Sequence, residues 1–152
     1  MHLVLVEPEI PQNTGNVART CVMTGTKLHL VEPLGFSLSE KEVRRSGLDY
    51  WQYLDLEVHG SFQELKAKYS PARFIFFSTR GSSYYYQFDY RSDDFLVFGS
   101  ETKGLDRGIL EGAENVLRIP MVNQIPRSLN LGNSVALVLY EALRQQGFPG
   151  MK

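Results

Sequence analysis

Five short apolar runs punctuate the chain: Leu3-Val4-Leu5-Val6, Leu28-His29-Leu30-Val31, Phe74-Ile75-Phe76-Phe77, Phe95-Leu96-Val97-Phe98 and Val116-Leu117-Arg118-Ile119. Their nearly continuous apolar character in β-forming residues predicts strands covered on both faces. Helical punctuation lies between them. Asn13 or Thr14 can cap a helix running to Gly25, Ser39 with Glu42 and Ser61 with Glu64 fit the capping box, and Asp106 can cap a short helix. A last helix is expected between about Asn130 and Gln146, where Val135, Leu139 and Leu143 recur at helical spacing before Gly147 and Pro149. Strands alternating with helices predict an α/β fold, a single domain over residues 1–152 with a parallel sheet flanked by helices. Such sheets bind ligands beyond the carboxyl ends of their strands, which directs attention to the loops after Val6, Phe77, Phe98 and Ile119.

Composition narrows the function classes. At 152 residues, 43% hydrophobic and 22% charged, the chain can bury one sizeable core and is not of disordered type. No run approaches the roughly 18 apolar residues of a membrane span, and the start lacks signal-peptide character, so a cytoplasmic protein away from membranes is expected. Cys21 is the only cysteine, which excludes an internal disulfide and a cysteine-rich zinc site. His2, His29 and His59 lie far apart with no ligand-like spacing, and no metal is expected. The net charge of −1 gives no general pull toward nucleic acid, so any RNA binding must rest on local basic patches, and composition neither supports nor excludes it.

The loop after Val6 runs Glu7-Pro8-Glu9-Ile10-Pro11-Gln12-Asn13-Thr14-Gly15-Asn16-Val17-Ala18-Arg19. Two prolines stiffen it, and Asn16 and Arg19, three apart, share one face of the helix that follows. An ordinary reading stands beside this, with Asn13 and Thr14 as caps and Arg19 as a solvated charge. The segment Phe98-Gly99-Ser100-Glu101-Thr102-Lys103-Gly104-Leu105 spaces its glycines like a phosphate loop but lacks the Lys-Ser/Thr that should follow, which argues against a nucleotide-triphosphate site. The dinucleotide fingerprint is also missing after the first run. These glycines permit either a close backbone approach to a ligand or a simple turn. The third segment, Ile119-Pro120-Met121 through Arg127-Ser128-Leu129-Asn130, crowds polar side chains ahead of an apolar helix, more than capping can use.

Taken in order and spacing, Pro11-x-Asn13-x-Gly15-Asn16-x-x-Arg19, Phe98-Gly99-x-Glu101-x-x-Gly104 and Ile119-Pro120-Met121…Arg127-Ser128-Leu129-Asn130 resemble the three motifs of the SpoU branch of the SPOUT RNA methyltransferases. Gly35-Phe36, Arg44-Arg45-x-Gly47-Leu48-Asp49-Tyr50 and the ending Gln146-Gly147-Phe148-Pro149-Gly150 are similar to the minimal TrmL subfamily. The resemblance implies a C-terminal deep trefoil knot, a homodimer and S-adenosylmethionine as methyl donor, with S-adenosylhomocysteine as product. It further implies methylation of the ribose 2′-hydroxyl of the wobble nucleotide, cytidine or uridine 34, in a tRNA anticodon stem-loop. Cofactor contacts are then expected from Phe77, Ser78, Thr79, Gly99, Ile119, Met121, Ser128 and Leu129, and catalytic duties from Arg19, Asn16, Glu101, Ser128 and Asn130. Two other readings stay open: the same chemistry on ribosomal RNA or another tRNA position, and a catalytically silent RNA-binding assembly factor.

For RNA contact the candidates are Lys41, Arg44 and Arg45, together with Arg80, Arg91 and Arg127 near the presumed catalytic loops. Tyr84, Tyr85 and Tyr86 can stack on bases, or belong to an edge strand or a subunit contact.

Overall fold

The computed structural model describes residues 1–39, 50–122, 124 and 126–152. Seven strands form one sheet: β1 (His2–Val6), β2 (Lys27–Val31), β3 (Leu56–His59), β4 (Phe74–Phe77), β5 (Ser83–Tyr84), β6 (Phe95–Phe98) and β7 (Val116–Arg118). Among the described residues four α-helices accompany them: α1 (Pro11–Thr24), α2 (Phe62–Lys68), α3 (Arg107–Leu110) and α4 (Leu131–Gln145). The strand order is β3-β2-β1-β6-β4-β7-β5, and the pairings are parallel.

Alternation along β1 divides the core in two. Leu3 and Leu5 point to the layer that holds Val17, Ala18 and Cys21 of α1 and Val135, Val138, Leu139 and Ala142 of α4. Val4 and Val6 face the opposite layer, with Phe62 and Leu65 of α2, Phe74 and Phe76 of β4 and Phe95 of β6. β1, β4 and β6 therefore need apolar residues at consecutive positions, the pattern visible in the sequence. Leu139 is fully buried, and its truncation to alanine should cost about 2–5 kcal/mol, as large-to-small core changes do.

The helix boundaries follow local chemistry, with one correction. Pro11 opens α1, because its fixed φ and missing N–H suit a first helical position; Asn13 and Thr14 lie inside the helix and do not cap it. Gly25 closes α1 with φ +63°, the left-handed cap expected of it. Ser61 Oγ accepts from Glu64 N–H at 3.1 Å, while Glu64 reaches back to Gly60 N–H at 3.0 Å, one residue earlier than a standard capping box. Asp106 caps α3 and Asn130 caps α4. The expected Ser39 and Glu42 cap, and Lys41, Arg44 and Arg45, involve positions outside the described residues.

Two strands have no counterpart among the five apolar runs. β3 sits at one edge of the sheet with only His59 buried, and β5 is a two-residue edge strand at the other. Tyr84 thus belongs to an edge strand.

Candidate active site

The carboxyl ends of β1, β4, β6 and β7 surround an open cleft of about 1170 Å³. Its lining includes every residue expected to hold a cofactor: Phe77, Ser78, Thr79, Gly99, Ile119, Met121, Ser128 and Leu129. Glu101, Ser128 and Asn130 of the expected catalytic set also line it, as do Arg80 and Arg127. Phe77, Phe98, Leu105, Ile119, Met121 and Leu129 supply apolar wall, and Glu7, Glu101 and the hydroxyls of Ser78, Thr79 and Ser128 supply a polar rim. Apolar walls with a few convergent polar groups suit a heterocycle bearing a polar, cationic tail.

The three motif segments are bonded to one another at the edge of this cleft. The Glu101 carboxylate accepts from the backbone N–H groups of Glu9 (2.8 Å) and Ile10 (3.0 Å) and from Asn13 Nδ2 (3.1 Å). Asn13 Oδ1 accepts from Asn130 Nδ2 at 2.9 Å, and Asn130 Oδ1 accepts from Gly132 and Asn133 N–H at the start of α4. An anionic acceptor placed on the unpaired donors at the amino end of α1 is favoured by both hydrogen bonding and the helix dipole. Thr102 adds a clasp by donating to the Glu9 carboxylate at 2.7 Å.

Gly99 has a different function from a simple opening for ligand. A Cβ there would meet Gly104 C at 2.1 Å and Leu105 N at 2.2 Å, so the close approach is made by the returning chain itself. Gly104 takes φ +68° to turn that chain, and Ser100 and Gly104 exchange backbone hydrogen bonds across the turn.

Asn16 and Arg19 stand elsewhere. Both are exposed on α1 and neither lines the cleft. Arg19 Nη2 donates to Tyr50 Oη at 3.2 Å, with the guanidinium 4.8 Å from the centre of the Tyr50 ring. Arg91 is also misplaced by the sequence reading. Its N–H donates to Asp94 just before β6 begins, at the end of the parallel sheet opposite the cleft. The sequence offers Asn13 as a motif position and a cap candidate, and its bridging role depends on Glu101 and Asn130, 88 and 117 positions away.

A second polar cluster lies away from the cleft. His2 Nδ1 and His29 Nε2 are 2.9 Å apart, and His29 Nδ1 and His59 Nε2 are 3.0 Å apart, a ladder across β1, β2 and β3. Folding therefore makes neighbours of histidines that the sequence separates. Burial, with help from the adjacent amino terminus, lowers His2 to about 4; burial lowers His29 to about 3, and it lowers His59 as well. His29, Glu57 and His59 form the one group among the described residues with three potential metal-ligand atoms within 4.8 Å of one another. Glu57 is already engaged by Lys68, by Tyr69 Oη at 2.6 Å and by Lys27 Nζ at 3.1 Å. Those hydrogen bonds, led by Lys68, hold its carboxyl far below the usual range.

A parallel sheet covered on both faces, with such a cleft at its carboxyl edge, defines a cofactor-binding α/β enzyme. The chain belongs to the SpoU rRNA Methylase family, whose model matches residues 1–140. It is 46% identical to a tRNA (cytidine(34)-2′-O)-methyltransferase of Saccharophagus degradans, with 99% of each chain covered. It is 49% identical to the protein of the same name in Burkholderia cenocepacia, with 98% of this chain and 97% of the relative covered. A solved structure concerned with 2-OH methylation of C/U34 on tRNA superposes with a TM-score of 0.92 at 46% identity, covering 96% of this chain and 95% of the other. Enzymes of the family use S-adenosylmethionine, and the cleft's apolar walls and carboxylate-bearing rim fit that group.

Proposed function

We propose that the chain is an S-adenosylmethionine-dependent methyltransferase acting on the ribose 2′-hydroxyl of cytidine or uridine 34 in tRNA. The observation that carries this reading is the bonding of all three motif segments around one cleft through Glu101, Asn13 and Asn130. Full-length similarity to enzymes named for that reaction supports the choice of substrate.

Bound in the cleft, S-adenosylmethionine supplies an activated methyl group. The protein's task is alignment of donor carbon and acceptor oxygen. Phe77, Ser78, Thr79, Gly99, Ile119, Met121, Ser128 and Leu129 hold the cofactor, and Glu101 and Asn130 fix the loops that carry those contacts. Arg19 acts as a clamp on phosphate and as a donor to the reacting hydroxyl, because a guanidinium stays protonated and accepts no proton. Asn16, one helical turn earlier, and Ser128 help orient the ribose.

Because Arg19 lies off its own cleft, the reading includes a homodimer. Met23 of α1 and Leu137 and Tyr140 of α4 leave apolar surface exposed on the helices that a second subunit would cover. Sedimentation at low micromolar concentration should give twice the chain mass, and a fully active monomer would contradict this part. The reading also includes the trefoil knot. Gln145 bonds Phe88 O and Tyr90 N–H at 3.0 Å each, and Gln146 bonds Tyr90 O at 2.7 Å, tying the loop between β4 and β6 to the end of α4. A crystallographic chain trace tests whether the chain threads that loop. Among the described residues no helix is long and apolar enough to cross a membrane, in keeping with a proposed cytoplasmic location beside tRNA.

The decisive assay is single-turnover methylation of tRNA at saturating cofactor. Arg19→Ala should leave fold and S-adenosylhomocysteine affinity intact and abolish turnover, and Arg19→Lys should restore little because the planar fork is lost. Methyl transfer to ribosomal RNA and not to tRNA would overturn the substrate assignment.

A further inference from the structure

The tyrosine run at the sheet edge forms a built surface. Tyr84 and Tyr86 are stacked, with ring centroids 5.5 Å apart and planes within 10°. Arg118 lies over the Tyr84 ring at 4.6 Å and donates from Nη2 to Tyr84 Oη at 3.0 Å. Tyr85 turns the other way: it packs against the main core, its carbonyl accepts from Tyr90 Oη at 2.7 Å, and its ring meets Tyr86 edge-on at 89°. Tyr86 is thereby braced by one neighbour's face and another's edge, yet 49% of it is exposed. A rigid, exposed aromatic ring loses little freedom when a flat partner settles on it.

Position ties this surface to the cleft. Arg118 immediately precedes the cleft residue Ile119, and Tyr84 pairs in register with Arg118. Arg80, another cleft residue, is four positions before Tyr84, within about 14 Å even for extended chain. Among the described residues β5 has a neighbour on one side only, at the edge of the sheet.

We propose that Tyr86, supported by Tyr84 and Arg118, is a stacking platform for an unpaired nucleobase next to the methylated nucleotide. The proposal rests on the RNA methyltransferase reading. Its occupant follows from the chemistry: a π-face is read by any base, and Arg80 in the cleft with Arg118 beside Tyr84 supplies positive charge that complements a phosphate backbone. A loop nucleotide is required, since bases within a helix keep their faces covered. Tyr86 binds substrate in this scheme and takes no part in methyl transfer.

Binding of a labelled anticodon stem-loop RNA, followed by fluorescence anisotropy with S-adenosylhomocysteine present, tests the platform. Tyr86→Ala should weaken RNA binding about tenfold or more, as loss of one base stack does, and Tyr86→Phe should keep most of the affinity. Calorimetric S-adenosylhomocysteine affinity and sedimentation should not change in either variant. Equal RNA affinity in the alanine variant overturns the platform and leaves the enzyme reading standing. No RNA binding by the unaltered protein overturns both, and a change of sedimentation in Tyr86→Ala makes the tyrosines a contact between copies of the chain.

Discussion

Two hydrogen-bonded chains cross this molecule, and they are built from opposite materials. At the cleft, Glu101, Asn13 and Asn130 join three loops through an anion and two amides, partly open to solvent. On the α2 side of the sheet, His2, His29 and His59 join three strands through imidazoles, the latter two almost fully buried. A neutral imidazole has one donor and one acceptor nitrogen, so the histidine ladder holds while its rings stay uncharged. The cleft chain gains from its charge because it caps a helix and accepts three donors. One is broken by removing a charge and the other by adding one.

The sharpest way to break the cleft side is Gly99→Ala. Its methyl group collides with backbone at 2.1–2.3 Å, so a loss of about 3 kcal/mol or more in urea unfolding is expected, beyond ordinary overpacking, with no measurable S-adenosylhomocysteine binding. Wild-type stability in this variant would mean that the loop closes differently. Glu101→Ala comes next: it strands three donors, and about 2–3 kcal/mol of stability should be lost along with cofactor affinity. Glu101→Gln, which keeps the shape and one acceptor oxygen, should recover part of both.

Acid separates the two chains without mutation. The histidine values in the folded protein lie below the ordinary 6.5, so the unfolded chain binds more protons below that pH. Stability should be complete above about pH 6.5 and fall as the pH drops toward about 4 and then 3. Urea midpoints in His29→Leu should flatten between pH 6.5 and 5, where carboxylates contribute little. An unchanged slope would locate the acid sensitivity elsewhere. The smallest effect is expected from Asn130→Ala, about 1 kcal/mol for a lost helix cap. Calorimetry should nevertheless register weaker cofactor binding, because Ser128 and Leu129 sit on the same loop.

The cleft was readable from sequence because a strand buried on both faces announces itself by composition, and the loop after it must emerge at the ligand end. β3 escaped because Leu-Glu-Val-His mixes polar and apolar residues, as an edge strand with one buried position allows. Asn13 suits a helix cap by residue type, but Pro11 sets the helix start and leaves the Asn13 amide free to bridge. The histidine ladder depends on parallel register, which brings positions 27 and 30 residues apart into contact and leaves no local mark. Arg91 is near the catalytic loops in sequence, yet β6 runs between it and the loop after Phe98 and carries it to the far end of the sheet.

The bond between Asn13 and Asn130 spans 117 positions, and this governs when the site can exist. During synthesis the amino-terminal loop emerges first, waits for Glu101, and is closed only when the start of the last helix has left the ribosome. Contacts so distant in sequence form late and slowly. A nascent or truncated chain thus lacks the closed site that binds the methyl donor, whereas a finished chain gains stability with the logarithm of donor concentration. Cellular supply of the cofactor should accordingly set how much completed protein survives proteolysis, and leave the yield of initial folding unaffected.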